Sequence, residues 1–263
     1  GYYCTAPLAT GQSFYAGVYR GYDRIISTHG FQPAYEGAER ALRILDALPT
    51  VDHFMLYHTG DVHPLNTMTP LKFSTAAEVA VPLAQRFVPL DPQVASVRIP
   101  YLPIFPEQLR VSLRHIDRSV GAILSYIEEH YEEDEYIVNL YSDHGYSLFD
   151  PHPEHAEVLG AYATGAVWMV RGAGVPEGVV AGELTSSADI YPTLGHLCGF
   201  PVAADIDGNL PAVFGGRARD AALSMSIFPG QTFKLALRSH DYSLRIETQG
   251  VVDEDGTADF AGA

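Results

Sequence analysis

Five residues near the middle of the chain, YSDHG (141–145), place a carboxylate directly beside an imidazole. They follow an apolar stretch, YIVNLY, which is typical of a buried strand with parallel neighbours. Asp143 offers a hard oxygen ligand and His144 a nitrogen ligand, and Gly145 permits the sharp turn that lets both reach one divalent ion. From these residues alone there is an alternative, in which Asp143 caps the next segment and His144 satisfies a buried carbonyl.

A second loop carries further polar side chains, and it also follows a predicted strand. The stretch DHFMLYH (52–58) predicts a short buried strand, and Asp61 and His63 come directly after it. Ligands of open α/β sheets bind beyond the carboxyl ends of the strands. We therefore expect His63, Asp143 and His144 to converge at one edge of one sheet. For His58 and Asp61, the alternative to a role in such a site is a packing or turn role, since aspartate favours turns.

Strands and helices alternate along the chain, which predicts an α/β fold. Apolar residues recur every three or four positions in two segments, and each predicts a helix. A serine cap and a closing glycine delimit a third helix. Two short alternating segments flanking His240–Asp241 predict a C-terminal hairpin. The predicted elements are helices at 37–48, 106–131 and 186–200, a strand at 166–172 and the hairpin at 233–248.

Composition excludes some partners and leaves the cellular location open. The 263 residues carry a formal net charge of -16, which disfavours binding to nucleic acid or to anionic lipid. No apolar run approaches the roughly 20 residues that a membrane-spanning helix needs. Two cysteines, Cys4 and Cys198, are too few for a disulfide framework.

The order of these segments resembles the sulfatase branch of the alkaline phosphatase superfamily. The resemblance covers roughly residues 15 to 210, in register and at plausible spacing. YSDHG is similar to the second metal-ligand motif of the family, and the loop containing His63 is similar to its H-x-x-D-x-H loop. The remaining matching segments are YRGYDRII (19–26), AERALRILDALPTVDHFMLYHTGDVHPL (38–65), LRHIDRSVGAILSYIEE (113–129), VRGAGV (170–175) and SSADIYPTLGHLCGFP (186–201).

The resemblance implies a fold and its division. We expect an alkaline phosphatase-like α/β sandwich with a central, mostly parallel sheet, and a small C-terminal antiparallel annex. Residues 1–215 would form a partial sulfatase-like domain, and residues 216–263 would begin the annex.

The resemblance also implies a role for each candidate site residue. Asp143 and His144 would bind a divalent metal, calcium or another hard cation, and His63 would assist the departing oxygen of a sulfate ester. Many sulfatases bind the anion through a lysine downstream of the DHG motif, but the lysines here are Lys72 and Lys234. His155, with His152 as its alternative, is the candidate replacement. The substrate would be a small molecule or a glycan carrying a sulfate ester.

The chain departs from the family pattern at two places. The family order H-x-P-Y is replaced here by His63-Pro64-Leu65. The formylglycine precursor motif C-x-P-x-R is not found, because Cys4 has proline at a different offset and no arginine follows. We therefore expect a domain truncated at both ends, which would hold no tightly bound calcium, hydrolyse no ester by itself and favour a homodimer through an unpaired sheet edge.

Two alternative functions remain open at this point. The first is a phosphodiesterase, or a phosphoethanolamine or phosphoglycerol transferase, of the same superfamily with a threonine or serine nucleophile. Its two-metal version is disfavoured, because those enzymes tend to place Asp and His four residues apart whereas Asp61 and His63 are two apart. The second is a non-catalytic binding module, which the lack of a downstream lysine favours.

Overall fold

The computed structural model describes residues 1–9, 20–27, 33–63, 88–89, 97–98, 103, 105–146, 159–227 and 229–258. These residues belong to two compact units. Gly1–Arg86 and Tyr101–Tyr131 form the first unit, and Phe87–Pro100 and Glu132–Ala263 form the second. The predicted domain boundary after residue 215 stays a prediction. No helix within the described ranges has the length and apolar character required to cross a membrane.

The first unit contains a parallel sheet whose central strand is the most deeply buried. Strand β1 (Tyr3–Leu8) is flanked on both sides by parallel partners, and its Ala6 and Leu8 are almost fully buried. Pairing with β1 continues beyond the third strand, since the amide of His58 donates to the carbonyl oxygen of Pro7 at 2.9 Å. The loop with Asp61 and His63 therefore begins at the carboxyl end of that strand. The strands are β1 (Tyr3–Leu8), β2 (Arg24–Ser27) and β3 (His53–Met55), in the order β2-β1-β3.

Two helices pack together in this unit. Helix α1 (Ala34–Ala47) confirms the first predicted helix and buries a stripe that includes Ala41 and Leu45. Helix α2 (Phe105–His130) confirms the long one, but the periodic apolar residues that predict it, Leu109, Leu113 and Ile116 among them, are not its buried residues. Ser112 and Ser119 are buried while Leu113 is 48% exposed. Small side chains allow the close approach of packed helices, so the inward face of α2 is partly polar.

The second unit contains the strand that precedes the DHG motif. Strand β6 (Ile137–Tyr141) pairs antiparallel with β7 (Trp168–Gly172), so the predicted parallel pairing is wrong for these two strands. The predicted full burial of β6 is also wrong, since its residues are half-buried and Tyr141 is 43% exposed. An apolar run does not record the direction of the neighbouring strand, which explains the first error. A short antiparallel pair, β4 (Val88–Pro89) with β5 (Val97–Arg98), and a short helix, α3 (Ala161–Thr164), also belong to this unit.

The predicted start and stop signals of the last helix are confirmed. Helix α4 (Ile190–Cys198) follows a 3-10 turn at Ser187–Asp189. Ser186 and Asp189 form a reciprocal capping box at the start of that turn, and Gly199 ends α4 in the left-handed conformation with φ of 71°.

The C-terminal hairpin is also confirmed, and one further strand extends it. Strands β8 (Ala222–Ser226), β9 (Thr232–Arg238) and β10 (Ser243–Val251) form an antiparallel sheet in the order β10-β9-β8. The predicted antiparallel annex therefore exists as a three-stranded sheet.

Candidate functional site

The DHG segment lies at the carboxyl end of β6 and is anchored on both sides. Before it, the amide of Ser142 donates to the carbonyl oxygen of Val167 at 3.0 Å, and the amide of Val167 donates to Ser142 Oγ at 2.9 Å. After it, the amide of Gly145 donates to the carbonyl oxygen of Ala163 at 2.9 Å. These three bonds hold the backbone on either side of Asp143.

The His144 ring lies beside the carboxylate of Asp143. Its Nδ1 lies 2.9 Å from the carbonyl oxygen of Gly145 and donates to it, because a carbonyl oxygen only accepts. Nε2 lies 3.5 Å from Asp143 Oδ2 and carries a lone pair in the neutral form of the ring. The ring of Tyr146 meets the imidazole edge to face with centroids 4.8 Å apart, which helps to fix its orientation.

This donor pair fits a divalent cation. Two electron-rich atoms 3.5 Å apart repel each other unless a proton or a cation lies between them. Two ligands at right angles in a calcium shell of about 2.4 Å lie about 3.4 Å apart, close to the observed separation. The Asp143 side chain is 83% exposed and hence accessible to an ion. In the part of the chain that the structure describes, no group of three or more His, Cys, Asp or Glu side chains surrounds a common point. The described residues thus supply two donors.

Two tyrosines flank the carboxylate as neutral groups. Burial, together with the negative charge of Asp143, raises the pKa of Tyr146 to about 12. Burial, and to a smaller extent the negative charge of Asp143, also raises the pKa of Tyr141. Both phenols therefore keep their protons at neutral pH and add no negative charge beside Asp143.

Gly145 is required for space rather than for a left-handed backbone. A Cβ at this position would lie 2.2 Å from the carbonyl oxygen of Tyr162 and 2.4 Å from that of Gly165. Its φ is not positive, so the turn-forming role predicted for it does not explain the glycine. The motif contains glycine because the backbone around α3 passes directly against it.

We expect Gly145→Ala to lower the free energy of unfolding by about 1–3 kcal/mol, because two backbone carbonyls must move to admit the methyl group. Any cation affinity of the Asp143–His144 pair should fall with it. Gly121→Ala is the matched control, since nothing lies within 4 Å of a Cβ there and the site is inside α2. Alanine should stabilise that helix by about 0.5–1 kcal/mol. Chemical denaturation of both variants measures the difference, and equal stabilities would contradict the steric argument.

His63 lies in the first unit, in a turn that Asp61 anchors. The amide of His63 donates to the carbonyl oxygen of Gly60 at 3.0 Å, and the side chain is half-buried. Asp61 is buried, and its Oδ2 accepts from the amide of Ala34 at 2.8 Å and from Thr59 Oγ1 at 3.0 Å. Burial raises the pKa of Asp61, while these hydrogen bonds and the nearby His115 act in the opposite sense. The packing alternative for Asp61 is the one that these contacts support.

The predicted site residues therefore fall into three groups. Asp143 and His144 lie together in the second unit, and His63 belongs to the first. Their convergence on a common site stays a prediction. His155 and its alternative, His152, lie outside the described residues.

Sequence reasoning missed an arginine that pairs with Asp189. Asp189 is 1% exposed, and Arg219 Nε donates to both of its carboxylate oxygens, at 3.1 and 2.8 Å. The amides of Asn209 and Ser186 add bonds of 2.7 and 2.8 Å. Burial disfavours the charged carboxylate and acts to raise its pKa. The hydrogen bonds from Arg219 and from the two amides outweigh burial, so the pKa of Asp189 is lowered. No local pattern marks Arg219, which is 30 residues away.

Several solved structures share this fold. A protein of the alkaline phosphatase superfamily from Vibrio parahaemolyticus matches 98% of this chain and 59% of its own, with a TM-score of 0.57 and 15% identity. The lipoteichoic acid synthase LtaP from Listeria monocytogenes matches 97% of this chain and 65% of its own, with a TM-score of 0.56 and 14% identity. A protein solved with its substrate D-glucosamine-2-N,6-O-disulfate matches 97% and 72%, with a TM-score of 0.58 and 15% identity. At these identities the matches establish the fold alone, an α/β fold that this chain shares with proteins of the alkaline phosphatase superfamily.

The sequence comparison gives the family within that superfamily. The family model described as Sulfatase matches residues 32–200, and this chain belongs to the sulfatase family. Sulfatase ppz1 of the fungus Metarhizium majus is 26% identical over 142 residues, which are 52% of this chain and 33% of that protein. The chain thus matches about a third of this curated relative.

Proposed function

We propose that this chain is part of a metal-dependent sulfuric ester hydrolase. The observation that supports the proposal is the donor pair at the end of β6, with Asp143 Oδ2 and His144 Nε2 3.5 Å apart inside the segment that matches the sulfatase family. The match of the chain to about a third of its curated relative supports the proposal that it is a part.

Each candidate residue has a distinct role in this proposal. Asp143 and His144 hold a divalent cation, for which calcium is the proposed identity, and when bound it offsets negative charge on the ester oxygens. His63 donates a proton to the oxygen that leaves. His155 contacts the sulfate anion. The family resemblance implies a formylglycine that supplies the nucleophilic oxygen when present. Neither Cys4 nor Cys198 stands in the C-x-P-x-R motif, so no residue of this chain is assigned to it.

The proposed substrate is a sulfate ester on a small molecule or a glycan. A fold neighbour that binds a disulfated glucosamine supports a sugar as the organic part. Transfer of a phosphoryl-containing group is the second candidate, because a lipoteichoic acid synthase matches the fold with a similar TM-score of 0.56. We also propose that the chain forms a homodimer through an edge of the sheet β2-β1-β3. The mass of the protein in solution tests this proposal.

Cation titration tests the metal site directly. We expect this chain to bind Ca²⁺ with a Kd on the order of 10⁻³ M, since most of a six- to eight-ligand shell would be water. Asp143→Asn should weaken binding by about tenfold or more because the hard anionic ligand is lost. Asp220→Asn is the control, as its carboxylate is 96% exposed and distant in sequence from the motif.

The titration and assays of ester turnover have three outcomes with separate meanings. Unchanged affinity in Asp143→Asn would refute the metal site. Tight stoichiometric calcium with ester turnover by this chain alone would refute the proposal that it is a part of the enzyme. In the longer protein that contains this chain, turnover of an aryl phosphate ester but not an aryl sulfate ester would favour the second candidate.

A further inference from the structure

The segment that leads to His63, from Tyr57 to Asp61, is attached to the first residue of α1 through both of that residue's backbone groups. The amide of Ala34 donates to Asp61 Oδ2 at 2.8 Å, and Tyr57 Oη donates to the carbonyl oxygen of Ala34 at 2.5 Å. The Tyr57 ring also lies over Gly37, where a Cβ would be 2.7 Å from the ring. The segment from Tyr57 to Asp61 is thus held against the first turn of α1.

Helix α1 depends on Asp61 for its cap. Its N-cap residue is Pro33, and no side-chain cap comes from that position. The first amide of a helix would then lack an acceptor, and the buried carboxylate of Asp61 provides one from 27 residues away. A negative charge is also favourable at this end of the helix dipole.

The same carboxylate organises the turn that leads to His63. Thr59 Oγ1 donates to Asp61 Oδ2 at 3.0 Å, and the His63 amide donates to the carbonyl oxygen of Gly60 at 3.0 Å. One carboxylate oxygen therefore binds the helix and the turn together. Asp61 lies two residues before His63, so a shift of Asp61 also displaces the turn that carries His63.

We propose that Asp61 is the positioning residue of His63, which it holds by binding the turn 59–63 to the amide of Ala34. The consequence for catalysis rests on the proposed function of His63, whereas the mechanical link does not. Displacement of a catalytic group by about 1 Å costs on the order of 10²-fold in rate, so this link would matter in the active enzyme.

The link can be broken from either side. Asp61→Ala removes the acceptor. Ala34→Pro removes the donor, and proline is favoured at the first position of a helix. Pro33 has ψ of 146°, which suits a residue that precedes proline. The helix start is thus preserved in the second variant while the hydrogen bond is lost.

Backbone ¹⁵N relaxation of this chain measures the effect. We expect the order parameter of the His63 amide to fall from about 0.85 in the wild type to below about 0.6 in both variants. The Ala34 amide should exchange about tenfold faster in Asp61→Ala. Asp189→Asn is the matched control, because Asp189 also caps a helix from a buried position but belongs to the second unit. It should leave the His63 order parameter unchanged.

Several outcomes would overturn the inference. They are a mobile His63 in the wild type, an unchanged His63 in Ala34→Pro, or an equal effect of Asp189→Asn. If Asp61→Ala does not fold, Ala34→Pro decides alone.

Kinetics separate this inference from the proposed function. In the longer enzyme, Asp61→Ala should lower kcat about 10- to 100-fold with KM nearly unchanged. If His63→Gln leaves turnover intact while Asp61→Ala loosens His63, the catalytic role fails and the positioning role stands. If His63→Gln abolishes turnover while His63 stays rigid in Asp61→Ala and Ala34→Pro, the positioning role fails.

Discussion

Replacement of His63 by glutamine is expected to lower kcat of the active enzyme by about 100-fold or more. An imidazolium donates a proton to the departing oxygen, and an amide of similar size does not. The free energy of unfolding should change by less than about 0.5 kcal/mol, because the side chain is half-buried in a turn outside the sheet. A catalytic role thus predicts a large kinetic effect with a small effect on stability.

Steady-state kinetics on an aryl sulfate ester measure this prediction. His240→Gln is the control, since His240 is exposed in the turn between β9 and β10. Wild-type turnover in His63→Gln would show that His63 is a loop residue without a catalytic role.

Replacement of Asp189 by asparagine is expected to lower the free energy of unfolding by about 3 kcal/mol or more. The carboxylate is 2% exposed and the Arg219 side chain 16% exposed, so the substitution leaves a largely buried guanidinium without its anion. The capping bonds to Ser186 and the bond to Asn209 weaken at the same time. The variant should therefore destabilise the start of α4 and the segment that carries Arg219 together.

Urea denaturation followed by circular dichroism measures this loss. Arg217→Ala is the control, because the Arg217–Asp220 pair is 87% and 96% exposed and should contribute little. The double variant Asp189→Leu with Arg219→Met should be less destabilised than Asp189→Asn, since it leaves no buried charge. Equal losses in the control and in Asp189→Asn would contradict the role of the pair.

The same pair makes a prediction about pH. The pKa of Asp189 is lowered below its ordinary value of 3.8 in the folded protein, so the folded state binds the proton less readily than the unfolded state. The stabilisation is therefore complete above that ordinary value, and it is lost as the pH falls through 3.8 towards the folded pKa. Asp189→Asn should show a flatter dependence of stability on pH across this acidic range. If the free energies of unfolding of the wild type and of Asp189→Asn depended on pH in the same way, this prediction would be contradicted.

Local features were readable from the chain alone. The capping signals at Ser186 and Gly199, the periodic apolar residues of α1 and the hairpin near residue 240 all involve neighbours within a few positions. Such features depend on short-range sterics and hydrogen bonds, which residue types specify directly. The ordered series of motifs also indicated the sulfatase family, which the family match to residues 32–200 confirms.

Other features required the tertiary structure. An apolar run does not indicate the direction of β6 relative to β7. The need for glycine at position 145 arises from the backbone carbonyls of Tyr162 and Gly165, which are distant in sequence. A sequence pattern records which face of an element is apolar, but it does not record which backbone passes against it.

The roles of the two buried aspartates show the same division. The sequence by itself placed Asp61 in the loop after a predicted strand and Asp189 in the first turn of a predicted helix. Only the tertiary structure decided that Asp61 binds Ala34, 27 residues earlier, and that Asp189 binds Arg219, 30 residues later. The physical reason is that a buried carboxylate needs partners but takes them from whatever the fold brings within about 3 Å. Packing between distant segments determines those partners, so no periodic pattern in the sequence indicates them.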